Sequence, residues 1–303
     1  MTIKFELLIA VLLLFILFQY LRKKLKKYKI ILDKNGFDGI YYYFINKNII
    51  KTGFSNFIDK KKNSLGLEIS KYSKQKILYG PYKGTKIINT IGWSNVDFAS
   101  KYLGVYESHI QEKIIYLSKK YRLKYFIDLG AAEGYHAVSL IKKNYFLKAI
   151  AFEIDESSRI LLKKNSQLNK LSNKIEIFGD ANFISIKKNL PSKLIKNSLF
   201  LVDIEGNEFS LFNNEFCKYF SKSFFIIEDH NFNIVSKKKI KMFYQMIKKY
   251  FKVEIIKDCS KDPLKYKILD RFSDDEKYLM MSEGRPETMS WIILYPKTIK
   301  NEY

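Results

Sequence analysis

Apolar residues fall along this chain in two rhythms. Short apolar runs stand at residues 125–127 and within residues 147–156, 173–182, 197–208 and 223–231, each followed by a turn or a polar stretch. Between most of them apolar residues return at helical spacing, as at Ala137, Val138, Leu140 and Ile141, or at Ile240, Phe243, Tyr244 and Ile247. Runs apolar throughout, alternating with amphipathic helices, predict parallel strands covered on both faces. Residues 251–256 and 290–295 (SWIILY) predict a sixth and a seventh strand, and residues 97–121 a helix leading into the first. The polar, irregular residues 258–286 predict an insertion near the mouth of the sheet, a candidate lid.

The first strand ends in Asp128, and a turn with Gly130 and Gly134 precedes the next helix. Strand, glycine turn, helix is the opening unit of a nucleotide-binding sheet, where bare backbone lets a ligand approach a helix N-terminus. The dinucleotide fingerprint G-x-G-x-x-G is not met, since Ala132 and Tyr135 stand at its second and third glycine positions. What stands instead is D-x-G-x-x-x-G. An acid beside the turn would repel a diphosphate. It suits S-adenosylmethionine, which carries an ammonium, a carboxylate and a sulfonium. The turn resembles motif I of the class I methyltransferases.

The strands that follow also end in acids. Glu153 closes the second, about 20 residues past the turn, where a doubly wound sheet places the carboxylate that accepts ribose hydroxyls. Asp180 follows the third, placed to accept from an adenine amino group; Asp203 and Glu205 follow the fourth; Glu228, Asp229 and His230 follow the fifth. A single acid there would be read as a helix cap. A row of them, at the strand ends where such sheets bind ligands, points to a site. The candidate cofactor contacts are Asp128, Gly130, Ala131, Glu133, Gly134, Glu153, Ile154, Asp180 and Ala181.

VDIEGNE followed by a helix start, then FFIIEDHN, with FIDLGAAEG and FEID upstream, is similar to the pattern of FkbM-type methyltransferases. The resemblance runs from about residue 77 to the C-terminus, and D-x-E-G-x-E at residues 203–208 is its most specific part. It implies a Rossmann-like class I methyltransferase fold with a seven-stranded, mostly parallel sheet. It also implies methyl transfer from S-adenosylmethionine to a hydroxyl of a saccharide, a lipid-linked glycan or a related metabolite.

Composition changes this picture little. With 303 residues, 47% hydrophobic and 16% aromatic, the chain has material for a large core. The formal charge of +23 suggests a polyanion partner. The cations, however, are nearly all lysine, with arginine only at Arg22, Arg122, Arg159, Arg271 and Arg285. Readers of nucleic acid rely on arginine for bidentate contacts, so nucleic acid is not the expected partner. Cys217, Cys259 and the histidines His109, His136 and His230 show no zinc-ligand spacing.

Residues 5–21 are nearly all apolar and are followed by RKKLKKYK. A helix over this run, with snorkelling lysines at both ends, reaches the roughly twenty residues a bilayer needs. The basic flank predicts a cytoplasmic catalytic domain behind a single N-terminal anchor. The expected organisation is an anchor and flank at 1–29, an accessory region at 30–120, and the methyltransferase domain at 121–303.

For the chemistry, Asp203, Glu205, Glu228 and His230 are the expected catalytic groups, with His230 or Asp203 as general base. A competing reading gives Asp203 and Glu228 or Asp229 to a divalent metal. Tyr106, Glu107 and Arg285 are candidates for the acceptor pocket. Two rival functions remain: a nicotinamide-dependent oxidoreductase, disfavoured by Asp128, Ala132 and Tyr135, and a lysine-rich binding module on a methyltransferase-like scaffold.

Overall fold

The computed structural model describes residues 53–88, 97–231, 236–285 and 288–298, together with Arg22, Leu25, Tyr28 and Lys29. The chain divides into two compact units, Met1–Asp59 and Lys60–Tyr303. In the first, those four isolated residues have helical backbone, and residues 53–59 begin a helix that continues to Ser73. The sheet and the candidate site belong to the second.

Seven strands form one sheet: β1 (Tyr125–Leu129), β2 (Lys148–Phe152), β3 (Ile175–Phe178), β4 (Ser198–Val202), β5 (Phe224–Glu228), β6 (Phe251–Lys257) and β7 (Ser290–Pro296). In chain order the helices are α1 (Gly53–Ser73), α2 (Phe98–Leu103), α3 (Ser108–Lys120), α4 (Tyr135–Lys142), α5 (Glu156–Leu168), α6 (Phe183–Asn189), α7 (Ser192–Ile195), α8 (Glu208–Leu211), α9 (Asn214–Tyr219), α10 (Lys237–Tyr250) and α11 (Asp274–Met281). The strand order is β3-β2-β1-β4-β5-β7-β6. Strands β1 to β5 pair in parallel, whereas β7 is antiparallel to both β5 and β6. The sheet is therefore mixed, which corrects the expectation of a mostly parallel one. Helix α11 lies between β6 and β7 in the chain, and β7 sits reversed between β5 and β6 in the sheet.

Alternate residues of each strand enter opposite cores. Phe126, Ala149, Leu199, Phe224 and Trp291 face one side, with Tyr102, Ile110 and Ile114 from α2 and α3 and Ala137 and Val138 from α4. Ile127, Ile150, Phe200, Phe225 and Ile292 face the other, against Phe212, Phe216, Phe243 and Ile247. Burial on both faces explains why β1, β2, β4, β5 and β7 read as largely apolar runs.

Two elements differ from expectation. The helix expected over 97–121 is two helices, because Gly104 (φ 79) takes a left-handed turn whose close neighbour is the Tyr79 carbonyl. Within the accessory region at 30–120, the sequence pattern did not place α1, a 21-residue helix that buries Leu65 and Ile69.

The sequence-based localisation, a single-pass anchor with a cytoplasmic catalytic domain, is corrected here. Among the described residues no helix is long and apolar enough to cross a membrane. The longest, α1, carries Asp59, Lys60, Lys61, Lys62, Glu68 and Lys71, charges a bilayer core does not accept without partners. Residues 5–21, on which that reading rested, lie outside the described residues.

Candidate active site

The turn after β1 is built from three left-handed residues, Gly130 (φ 87), Ala132 (φ 46) and Gly134 (φ 84). Gly130 is required by contact as well as by conformation. A Cβ there would lie 1.7 Å from the Asp203 carbonyl oxygen, so the β1 and β4 loops meet backbone to backbone. Ala132 has no such licence and is held by a neighbour: its N–H donates to Glu153 Oε2 at 2.8 Å. Glu153 Oε1 accepts from the Asp155 N–H, also at 2.8 Å, so this one carboxylate ties the first turn to the start of α5. Ala131 is buried, and its N–H donates to the Phe152 carbonyl, which fixes β1's exit against β2. Ile154, beside Glu153, leaves a large apolar side chain 76% exposed. Asp180 is exposed and accepts from Asn182 Nδ2 at 2.7 Å, with Ala181 half-buried beside it.

Glu133 is diverted from the role expected of it. It is buried and ion-paired with Lys101 Nζ at 2.6 Å, and Asp97 lies 3.6 Å from the same ammonium. Glu133 thereby anchors α2 to the turn and does not stand open to a ligand.

Acids crowd the centre of the site. Asp128 is 3% exposed, and burial raises its carboxyl to about 7; His136 opposes the rise, while Asp203 and Glu107 add to it. Asp203 is likewise raised to about 7 by enclosure, against the pull of His230, and its Oδ1 makes no hydrogen bond. Glu205 has a left-handed backbone (φ 54) and a side chain 56% exposed at the edge of the group.

His230 is the hub. Its Nδ1 pairs with Glu208 Oε1 at 3.1 Å, and its Nε2 faces Glu228 Oε2 at 3.2 Å, Asp203 Oδ1 at 3.5 Å and Glu205 Oε2 at 3.8 Å. Burial pushes the imidazole down, but the hydrogen bond to Glu208 and the charges of Asp203, Glu208 and Glu205 lift it to about 9. At neutral pH it is an imidazolium, so the expectation that it is a free base near its ordinary value does not fit this environment. Glu208 also accepts the Ile204 N–H at 2.8 Å, which folds the β4 loop around the histidine. Ligand atoms of Asp203, Glu208 and His230 lie within 4.8 Å of one another, a spacing that could hold a cation. Asp229, the alternative metal ligand, turns elsewhere and accepts from Tyr244 Oη at 3.0 Å and Asn231 Nδ2 at 2.9 Å.

A second network closes the neighbouring wall. Arg285 is ion-paired with Glu107, Glu228 and Glu283. Glu107 also contacts His136 Nε2 at 2.9 Å, while His136 Nδ1 meets Tyr82 Oη at 2.9 Å. Burial pushes the Glu107 carboxyl up, but the hydrogen bond with His136 and the charge of Arg285 outweigh it and hold it at about 2. Tyr106, expected in the acceptor pocket, packs edge-on against Tyr135 and lies under Lys101 Nζ at 4.9 Å. Lys101, His136, Tyr82 and Glu208 were not among the expected site residues. Each is placed by a contact between distant segments, and only Glu208 carried a local signal, as the last acid of D-x-E-G-x-E.

No family model matches the chain, and no curated protein matches it significantly. Solved structures similar to it are found at low identity. Cofactor-bound Rv0187 from MTB is 8% identical over 78% of this chain and 89% of that one, with a TM-score of 0.43. The O-methyltransferase TomG from Streptomyces achromogenes, involved in tomaymycin synthesis and solved in complex with S-adenosylmethionine, is 9% identical over 66% of this chain and 87% of its own, at 0.41. The Bacillus subtilis M1A22 tRNA methyltransferase TrmK is 11% identical over 61% and 64%, at 0.40.

Proposed function

We propose that this chain is an S-adenosylmethionine-dependent methyltransferase of the FkbM type, transferring a methyl group to a hydroxyl of a saccharide, lipid-linked glycan or related metabolite. The observation that carries the reading is the meeting of the Gly130 turn with the Asp203 loop beside a group of acids, among which Asp203 Oδ1 makes no hydrogen bond. Acids crowded beside the turn suit a ligand that brings a positive charge. That is the character of a sulfonium with an ammonium nearby.

In this reading the Gly130 turn and Ala131 receive the methionine end, Glu153 the ribose and Asp180 the adenine amino group, with Ile154 offering an apolar face to the ring. When bound, S-adenosylmethionine supplies a methyl group that is already electrophilic. The protein's work is then to position the acceptor and take its proton. Asp203 is the better-placed base, since its carboxyl is raised to about 7 and Oδ1 makes no hydrogen bond. His230, protonated and held by Glu208, steadies the negative charge around it. Glu205 and Glu228 set the local field, and Glu107 and Arg285 line the acceptor's side. In the alternative reading Asp203, Glu208 and His230 would hold a divalent metal.

Isothermal titration of the full chain with S-adenosylmethionine tests the cofactor. Binding is expected, weakened by about tenfold or more in Glu153→Gln, which keeps the shape of the side chain but not its charge. Absent binding, or equal binding by the variant, rejects the assignment.

A further inference from the structure

Among the described residues, one other group of side chains besides the acids around His230 brings metal-ligating atoms together. His109 lies in the first turn of α3, and Asp258 and Cys259 follow the last residue of β6. Ligand atoms of the three lie within 4.8 Å of one another. They were invisible as a motif, because His109 is far from the adjacent pair Asp258-Cys259 in the sequence.

Several features distinguish this group from a chance contact. Both ring nitrogens of His109 are enclosed and make no hydrogen bond, although Nδ1 stands 3.1 Å from Asp258 Oδ1. An enclosed imidazole nitrogen without a partner costs free energy that a bound cation would recover. The supporting backbone is hydrogen-bonded. The Asp258 N–H donates to the Met289 carbonyl at 2.9 Å, continuing the β6–β7 ladder, and the Cys259 N–H donates to Asp258 Oδ1 at 2.8 Å. His109 stands on a 13-residue helix. The donor set is imidazole nitrogen, carboxylate oxygen and thiolate sulfur, a combination that suits zinc and not calcium or magnesium. Lys261 is nearby, but its ammonium is ion-paired with Glu283, so it does not leave an open positive charge beside the ligands.

We propose that His109, Asp258 and Cys259 form a zinc site, with the fourth position left to water. Loss of the thiol proton gives a thiolate, and with neutral imidazole and a carboxylate the two negative charges balance Zn²⁺. The ion would tie the start of the segment between β6 and β7 to helix α3. Those two segments also supply Arg285 and the neighbouring Glu107, so the site buttresses the wall of the crevice. The assignment does not depend on the reaction proposed above.

Cobalt is the direct probe, because a cobalt–thiolate bond gives a charge-transfer absorption that oxygen and nitrogen ligands do not. Full-length protein freed of metal by dialysis should bind one Co²⁺ with this band, and added Zn²⁺ should displace it. Cys259→Ser should abolish the band, and His109→Ala should weaken binding by at least about tenfold, the scale on which even supporting partners matter. Cys217→Ser, at the buried cysteine, should leave the band intact. Cys259 is exposed, so its replacement does not threaten the fold, and circular dichroism would verify that. Absence of the band, or its survival in Cys259→Ser, overturns the site. Cobalt bound without a thiolate band would place the ion elsewhere and overturn it equally.

Discussion

The loops after β1 and β4 both bend on left-handed residues, yet they are held by different forces. In the first, Gly130 is locked by shape, with the Asp203 carbonyl pressed where a side chain would go. In the second, Glu205 (φ 54) and Gly206 (φ 96) turn in open space, and a Cβ on Gly206 would meet nothing within 4 Å. That loop is held by charge, through Glu208 accepting the Ile204 N–H and gripping His230. One loop tolerates no change of volume; the other is sensitive to protonation. A rigid cradle beside a titratable one is a division of labour suited to holding a ligand and moving a proton.

The largest effect expected from breaking this contrast is at Gly130. Gly130→Ala combines a left-handed alanine with a backbone overlap and should cost about 3 kcal/mol or more. Chemical denaturation should show the loss, with S-adenosylmethionine binding lost as well. A stability within about 1 kcal/mol of the parent would mean that the two loops are not locked together.

Next in size is the proton chemistry of the β4 loop. The pH profile of kcat/KM should be bell-shaped, rising through about 7 as Asp203 ionises and falling through about 9 as His230 loses its proton. Asp203→Asn should remove the acid limb and lower kcat/KM by roughly 10² to 10⁴. Glu208→Gln should move the alkaline limb downward, because the hydrogen bond to Glu208 heads the contributions that lift His230 against burial. An unchanged acid limb in Asp203→Asn would assign the base elsewhere. Stability carries the same signature. Both folded values are raised, so each group favours the fold in its protonated form. That contribution is complete below the ordinary values of 3.8 and 6.5 and is lost as pH rises through about 7 and about 9.

The smallest effect sharpens the contrast from the other side. Gly206→Ala pays only the backbone cost of its conformation, about 1 kcal/mol, and should leave cofactor affinity unchanged. A loss as large as that of Gly130→Ala would show that the β4 loop is packed as tightly as its partner.

Much of the scaffold was legible in the sequence because its signals are local. All seven strands stand where apolar runs predicted them, and helix α10 spans the residues whose 3.6-residue period marked it. The β7 reversal was not legible, since both parallel and antiparallel strands buried on two faces read as the same apolar run. Nor was α1, whose buried stripe is narrow and whose lysines look like those of a connector. At the site, the acids of the strand ends were found because each closes an apolar run. Their partners were not. Lys101 meets Glu133 across 32 residues and His136 meets Tyr82 across 54, pairings that exist only once the chain has closed. The same distance hid the diversion of Glu133 and the charge state of His230.

Arg285 gives the segment between β6 and β7 a consequence beyond shape. It grips Glu228 at the tip of a central strand and Glu107 at the head of a helix. Neither wall can part from the other without stranding a poorly hydrated carboxylate. Opening therefore has an electrostatic threshold, and added salt, by weakening the grip, should speed the exchange of whatever lies behind it.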